Sequence, residues 1–303
     1  MQSIKYWLIQ RLLGGIGRLS LRRAQQLGAL LGRLLWVSHS SARRTTEINL
    51  QLAYPELPAA QRRDLALDSL THTGRTILEI PLMWEWPVQR CLDLVQEVEG
   101  LEHLHAAQTA GQGLILLAPH LGNWELAGLY FSSRFNMAAL YSPPNIPQFE
   151  AYMIRVRSRL GSELVRGDRR GLARLSERLR EGGIIGILPD QSPRGQGFAF
   201  APFFGVPART MTLVNKLARK SGARILATYA ERLPNAQGFR IRILPCPDDA
   251  LRAADSEQAA TALNAVVEQC VRTTPAQYQW EYKRFRYPPE GYPDPYRKPS
   301  VSS

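Results

Sequence analysis

The run LILLAPHLGNWEL, residues 114–126, decides the fold. Its first part, Leu114–Ala118, is uninterruptedly apolar, which is typical of a strand buried on both faces of a sheet. Pro119 ends the strand pairing, and Asn123 is a suitable N-cap for a helix that follows at once. A strand that passes through a short turn into a helix is the beginning of a repeating strand–helix unit.

The same alternation continues downstream. Further strands are predicted over 138–141, 184–188, 225–229 and 239–243, and helices near 149–160, 171–181, 210–221 and 256–272. This order predicts an α/β fold with a central, mostly parallel sheet flanked by helices. Ligands of such sheets bind beyond the carboxyl ends of the strands, so we expect function just after 114–118 and 184–188.

The positive charge is concentrated at the N-terminus. The chain carries 38 Lys and Arg against 26 Asp and Glu, a net charge of +12, and residues 1–46 hold eight of the basic residues and no acid. Such an excess favours a negatively charged partner: nucleic acid, an anionic membrane or a phosphorylated substrate.

The same segment carries apolar residues at helical spacing. They are Trp7, Leu8 and Leu12, then Leu27, Leu30, Leu31, Leu34 and Leu35. Because Lys or Arg interrupts every longer apolar run, we expect an amphipathic helical segment over 1–46 that lies in the membrane interface without spanning it, followed by an α/β domain over 47–303. The alternative is a pair of helices that packs on the domain and whose basic face is only exposed to water.

Three polar residues follow the two strand ends. His120 has the side chain best suited to proton abstraction near neutrality, and Glu125, in the first turn of the predicted helix, is a carboxylate that can fix its tautomer. Asp190 follows the strand 184–188 and has either a role in the site or a role in capping a turn. The alternative for His120 and Glu125 is that they are a loop histidine and a first-turn glutamate without a catalytic role.

Arginines crowd the stretch between these strand ends. Residues 151–180 hold nine of them: Arg155, Arg157, Arg159, Arg166, Arg169, Arg170, Arg174, Arg178 and Arg180. On one continuous helix Arg155 and Arg159 share a face and Arg157 points away. Most of the nine side chains are expected to face water, and one or two near the strand ends are expected to bind phosphate. The aromatic and basic segment 278–286 is expected to pack inward; stacking of nucleic-acid bases is the alternative.

Other site classes are excluded by what the sequence lacks. The three cysteines are widely spaced, which excludes a disulfide framework and a cysteine-rich zinc site. A phosphate-binding loop, a dinucleotide glycine fingerprint, a G-x-S-x-G elbow and an H-E-x-x-H motif are all missing, so neither a metal nor another cofactor is predicted.

Several motifs together resemble a known family. His120 and Glu125 match the H-x4-D/E motif of the glycerolipid acyltransferase superfamily. More narrowly, this motif followed by Pro189-Asp190-Gln191, Pro202-Phe203-Phe204-Gly205 and the segment 278–285 resembles the bacterial lipid A late acyltransferases, the lauroyl and myristoyl transferases. The resemblance covers about residues 5–290. The Arg-interrupted N-terminus departs from the cleaner apolar anchor that family members often show.

The resemblance implies an activity and its partners. An acyl chain would move from acyl carrier protein to a hydroxyl of a lipid A precursor, at the cytoplasmic face of the inner membrane, on an anionic membrane surface and without nucleic acid. His120 would take the proton of the hydroxyl, Glu125 would orient His120, and the oxygen would attack the donor thioester directly.

The resemblance also assigns substrate-binding residues. Arg157 matches the family's arginine, and with Arg166 it would hold acceptor phosphate or donor phosphopantetheine. Asp190 would shape the site, and Asn123 is grouped with these residues. Two alternatives stay open: an acyltransferase for another lipid, such as a lysophospholipid or a phosphatidylinositol mannoside, and a basic nucleic-acid-binding protein.

Overall fold

The computed structural model describes residues 2–144, 146–193 and 195–297, with side chains from residue 6 onward. Its helices are α1 Gln2–Ile16, α2 Leu21–Val37, α3 Ser41–Ala53, α4 Ala59–Glu85, α5 Val88–Leu92, α6 Leu101–Thr109, α7 Trp124–Ser132, α8 Pro147–Arg157, α9 Arg169–Arg180, α10 Leu213–Ser221, α11 Asp248–Leu251 and α12 Ser256–Thr273. Within these ranges, none of the helices combines the length and the apolarity that crossing a membrane requires.

The strands form one large sheet and one separate hairpin. They are β1 Val95–Glu99, β2 Leu114–Leu117, β3 Met137–Tyr141, β4 Glu163–Arg166, β5 Ile184–Ile187, β6 Phe198–Phe203, β7 Val206–Met211, β8 Arg224–Arg232 and β9 Phe239–Pro245. The large sheet has the order β1-β9-β8-β2-β5-β3-β4, and β6 pairs with β7 alone. Every pairing in the large sheet is parallel except β8 with β9. The predicted α/β fold with a mostly parallel sheet is confirmed.

Most predicted elements are present, and the strands that were not predicted are the two edge strands of the large sheet and the two strands of the hairpin. All five predicted strands form, whereas β1, β4, β6 and β7 were not predicted. β1 and β4 are the two edge strands of the sheet and are short and rich in charge, so they lack the apolar run that marks a central strand. The helix predicted from residue 210 begins at Leu213, because Thr210 and Met211 pair in β7.

The central strands are buried on both faces. Leu114 and Leu116 join one apolar cluster, and Ile115 and Leu117 join another, as the alternation of side chains along a strand requires. Trp36 of α2 belongs to the same cluster as Ile115. The predicted boundary after residue 46 falls inside α3, and α2 before it is packed into the body of the molecule.

Helix α2 packs on α4 through glycines rather than leucines. A Cβ on Gly28 would lie 2.5 Å from Cα of Arg75, and one on Gly74 would lie 2.1 Å from the carbonyl oxygen of Gly28, so the two backbones touch. The opposite face carries Leu27, Leu30 and Leu34, which are 48%, 63% and 57% exposed. The apolar stripe predicted on this helix therefore faces outward.

Candidate active site

The turn between β2 and α7 presents His120 at the carboxyl end of β2. Gly122 has a φ of +63°, and a Cβ there would lie 2.0 Å from the carbonyl oxygen of Ala230, so this position accepts only glycine. The N–H of Gly122 donates to the carbonyl of Gln277 at 3.1 Å, and the N–H of Asn123 donates to the carbonyl of Ala230 at 2.9 Å. The turn is thereby fixed from behind by β8 and by the C-terminal segment.

Asp190 is the carboxylate that hydrogen-bonds His120. Nδ1 of His120 lies 2.9 Å from Oδ1 of Asp190, and the backbone N–H of His120 donates to Oδ2 at 2.9 Å. The two residues meet because β2 and β5 are parallel neighbours that end together, as the sequence predicted. Asp190 is only 3% exposed. Burial alone raises the pKa of its carboxyl, but the charge and hydrogen bonds of His120 outweigh burial and hold the pKa below its usual value.

This pairing decides which imidazole nitrogen is free to act as a base. A carboxylate at Nδ1 is matched by a proton on Nδ1, which leaves the lone pair on Nε2, a tautomer assigned from the hydrogen-bond network. The Nε2 atom of Gln191 lies 3.3 Å from Nε2 of His120, at a distance that suits donation to that lone pair. In this tautomer Nε2 carries the lone pair that could accept a proton.

Glu125 has a different partner from the one predicted. Its carboxylate accepts from Nε1 of Trp84 at 2.9 Å and from Nε of Arg157 at 3.0 Å, with a second contact to Nη2 of Arg157. Burial raises the pKa of Glu125, but Arg157 outweighs burial and the pKa is lowered. In this geometry Asp190, and not the predicted Glu125, occupies Nδ1 of His120, and the first-turn position of Glu125 points it at Arg157.

The crowded arginines separate into different roles. Arg157 lies at the end of α8 against Glu125, and Arg155 is exposed. Helix α8 ends at Arg157, so Arg159 does not share a helical face with Arg155 as predicted. Its guanidinium donates instead to the carbonyls of Met83 and Trp86, at 2.6 and 2.7 Å, at the C-terminal end of α4.

Arg166 is exposed, whereas Asn123 is buried. The side chain of Arg166 is 55% exposed and bonds the hydroxyl of Tyr141 at 3.1 Å and the carboxylate of Glu150 at 2.6 Å. Asn123 is fully buried, and its Oδ1 accepts from the N–H of Leu126 at 3.0 Å as the predicted N-cap. Its amide NH2 group donates to Glu79 inside the protein, so the structure does not bring Asn123 together with the other residues predicted to bind substrate.

A large cavity opens beside His120. Its volume is about 920 Å³, and His120, Glu125, Arg157 and Arg166 all line it. The remainder of the wall is mainly apolar, with side chains from α7, β3, α8 and β4: Leu129, Met137, Leu140, Val156 and Leu164. The cavity thus combines a histidine and three arginines, Arg157, Arg166 and Arg286, with an apolar surface.

Sequence reasoning missed a buried ion pair behind the turn. Nε of Arg232 donates to Oε1 of Glu79 at 2.6 Å, and the two side chains are 1% and 0% exposed. The amide of Asn123 donates to Oε2 of Glu79 at 3.1 Å, and that of Gln25 in α2 donates to Oε1 at 2.8 Å. The available signal was Glu79 itself, a lone charge in an apolar part of α4.

The C-terminal segment packs inward as predicted. Tyr278, Trp280 and Phe285 are buried, and the N–H of Gln279 donates to the carbonyl of His120 at 3.1 Å. Across the described ranges, no three side chains of His, Cys, Asp or Glu converge as a metal site would require.

Comparison with known proteins places the chain in a family. The model of the bacterial lipid A biosynthesis acyltransferase family matches residues 1–287. The chain is similar to the lipid A biosynthesis lauroyltransferase of Escherichia coli K12, with 29% identity over 97% of this chain and 90% of that protein. It is also similar to the palmitoleoyltransferase of the same strain, with 30% identity over 88% and 84%.

One relative is named for a different acceptor. The phosphatidylinositol mannoside acyltransferase of Mycobacterium tuberculosis is 32% identical over 61% of this chain and 60% of its own length. All three relatives are acyltransferases, and the family match runs through both strand ends described above. The chain therefore belongs to the bacterial lipid A biosynthesis acyltransferase family, and it is an acyltransferase.

Proposed function

We propose that the chain transfers a fatty acyl group from acyl carrier protein to a hydroxyl group of a lipid A precursor. The observation that supports this most directly is the His120–Asp190 pair at the mouth of a cavity with apolar walls. A general base beside an apolar cavity suits the transfer of a hydrocarbon chain to an alcohol.

The reaction proceeds by direct transfer. Nε2 of His120 takes the proton of the acceptor hydroxyl while the oxygen attacks the carbonyl carbon of the donor thioester. The C–S bond then breaks, the sulfur leaves as a thiolate, and the imidazolium returns the proton to it. Asp190 stabilises the imidazolium through Nδ1, so its negative charge acts where the positive charge develops.

The arginines bind the anionic parts of the substrates. Glu125 fixes the guanidinium of Arg157 through two contacts, and Arg157 lines the cavity. Arg166 lies at the rim of the same cavity. Arginine forks match phosphate oxygens, so these two residues hold an acceptor phosphate or the phosphopantetheine of the donor.

Transfer of labelled acyl groups tests this function. Acyl carrier protein carrying a labelled chain is mixed with a lipid A precursor in detergent, with the phosphatidylinositol mannoside as a second acceptor. General-base catalysis contributes about 10²- to 10⁴-fold, so His120→Ala is expected to lose that much activity. His105→Ala, an exposed histidine of α6, is the matched control.

Each outcome of that assay separates the candidate functions. Transfer to the precursor that disappears in His120→Ala supports the proposal, and preferred transfer to the mannoside favours the other lipid acceptor. Wild-type activity that survives His120→Ala would overturn the mechanism. Salt-sensitive nucleic-acid binding without any acyl transfer would favour the nucleic-acid alternative.

The site works at the cytoplasmic face of the inner membrane, where α2 lies in the lipid interface. Leu27, Leu30 and Leu34 share one exposed face of α2, and Arg22, Arg23 and Arg33 are exposed on the same helix. Exposed leucines that enter the acyl region, together with arginines that meet anionic headgroups, are the features of an interfacial helix.

Vesicle binding tests the role of α2. Burial of one leucine is worth about 1.5–3 kcal/mol, so Leu30→Gln with Leu34→Gln is expected to weaken partition into anionic vesicles by at least about 100-fold. The control is Tyr292→Gln, which removes an exposed apolar group near the C-terminus. Equal partition of the double variant and wild type would place the membrane contact elsewhere.

A further inference from the structure

His120 borders a second, smaller cavity on its other side. This cavity has a volume of about 120 Å³ and lies between α4 and the segment 277–281. His120 and Trp124 line both cavities, and their rings meet edge to face at 5.0 Å. The general base is therefore accessible from two separate spaces.

The smaller cavity contains an unpaired hydrogen-bond acceptor. Oε1 of Gln279 is buried and has no hydrogen-bond partner among the described residues. The same residue is fixed beside the base, because its N–H donates to the carbonyl of His120 at 3.1 Å. An unsatisfied buried acceptor is destabilising, so a ligand that donates a hydrogen bond here relieves that penalty.

A carboxyl group lies beside that acceptor. Glu281 lines the cavity, and its Oε2 accepts from the hydroxyl of Thr73 at 2.9 Å. Burial raises the pKa of this carboxyl above its usual value. The polar end of the cavity thus presents oxygens, which select a ligand that donates.

The other end of the cavity is apolar and leads toward α2. Ile77 and Ile80 of α4 line it, and Ile77 is 45% exposed at its rim. Ile77 follows Gly74 by less than one turn, and Gly74 contacts Gly28 of α2. A lipid that enters here passes close to the contact between α4 and α2.

We propose that the smaller cavity is the acceptor subsite, in which Gln279 accepts a hydrogen bond from a hydroxyl or amide N–H of the glycolipid next to the hydroxyl that is acylated. The inference rests on the proposed function and deepens it. The larger cavity then holds the acyl chain of the donor. The smaller one has room for a short polar group and not for a long chain, which fits an acceptor that brings only its reacting hydroxyl and a neighbouring donor to His120.

Steady-state kinetics with both substrates test this assignment. Gln279→Leu keeps the size of the side chain and removes the acceptor oxygen. We expect the KM for the lipid A precursor to rise about 10-fold, with the KM for acyl carrier protein and the hydrolysis of the donor by water unchanged. Gln108→Leu, an exposed glutamine of α6, is the matched control. Ile80→Phe fills the apolar end and is expected to raise the same KM if Gln279→Leu fails to fold.

Three results would overturn this inference. A rise in the KM for the acyl donor with no change for the acceptor would assign the cavity to the donor and overturn the inference. Unchanged KM values for both substrates in folded variants would also overturn it, while active wild-type enzyme leaves the proposed function standing. Absence of transfer by the wild type would overturn the proposed function and this inference together.

Discussion

At the scale of single residues, Asp190 makes two contacts with one partner. Its carboxylate accepts from the backbone N–H and from Nδ1–H of His120. Asp190→Asn keeps the shape but removes the charge, and its NH2 group meets one of the two N–H donors. We expect kcat to fall by about 10²- to 10⁴-fold, because the imidazolium loses its counter-charge and the tautomer is no longer fixed.

The measurement for Asp190→Asn is the acyl-transfer rate beside a thermal unfolding curve. Asp64→Asn, an exposed aspartate of α4, is the control. A folded Asp190→Asn enzyme within a few-fold of the wild-type kcat would show that Asp190 does not support the base.

A second residue pair distinguishes Arg157 from its neighbour. Arg157→Ala leaves Glu125 as a buried carboxylate without its cation, which costs about 3 kcal/mol of unfolding free energy, and it removes the group proposed to bind phosphate. Arg155→Ala removes an exposed side chain and is expected to change neither quantity appreciably. Urea unfolding and transfer rates of the two variants check this. Equal, small losses in both variants would indicate a diffuse basic surface.

The sequence identified the members of this site better than their pairing. His120 and Asp190 could be brought together because parallel strands end at one edge of a sheet, whereas Arg157 was assigned by the resemblance to the family. Which carboxylate faces Nδ1 could not be predicted, since an H-x4-E spacing does not describe the path of the turn between its ends. The capping role of Arg159 was missed for a related reason, because the pattern alone does not say where α8 stops.

At the scale of elements, the contact between α2 and α4 depends on glycine. A Cβ on Gly28 meets the backbone of α4 at 2.5 Å, whereas one on Gly14 of α1 has nothing within 4 Å. Gly28→Ala is therefore expected to lower the unfolding free energy by about 1–3 kcal/mol, and Gly14→Ala to leave it unchanged or raise it by up to about 1 kcal/mol. Urea unfolding measures both. A Gly28→Ala protein as stable as the wild type would show that the helices separate without cost.

Helical periodicity predicted α2 and a leucine stripe that faces a membrane interface, but it did not predict the glycine face that packs on α4. A stripe of leucines usually marks the buried face of a surface helix. Here the buried face carries Ala24, Gly28 and Gly32, because close backbone contact with α4 leaves no space for larger side chains. Edge strands such as β1 were not predicted because their exposed positions carry polar or charged side chains. Both cases are set by neighbours that a local pattern does not contain.

At the scale of the whole molecule, His72 makes stability depend on pH. Burial lowers its pKa to about 3, helped by the charges of Arg232 and Arg75. The unfolded chain takes up this proton near pH 6.5 and the folded protein does not, so the unfolding free energy falls as the pH decreases from about 6.5 toward 3. The slope from one such group is at most about 1.4 kcal/mol per pH unit.

Removal of the imidazole tests that contribution. His72→Asn retains an oxygen to accept from Arg232 and cannot take up a proton, so its stability is expected to fall less steeply on the acid side than that of the wild type. His39→Asn, at an exposed position, is the control. Urea unfolding at several pH values gives the two slopes, and parallel curves for His72→Asn and wild type would contradict the prediction.

The position of His120 between two cavities has a consequence for the order of substrate addition. Each substrate reaches the imidazole from its own side, so neither has to leave before the other arrives, and both are present when the acyl group moves. Initial rates measured against one substrate at several fixed levels of the other are then expected to give intersecting double-reciprocal lines. Parallel lines would instead indicate an acyl group that waits on the enzyme after the carrier has gone.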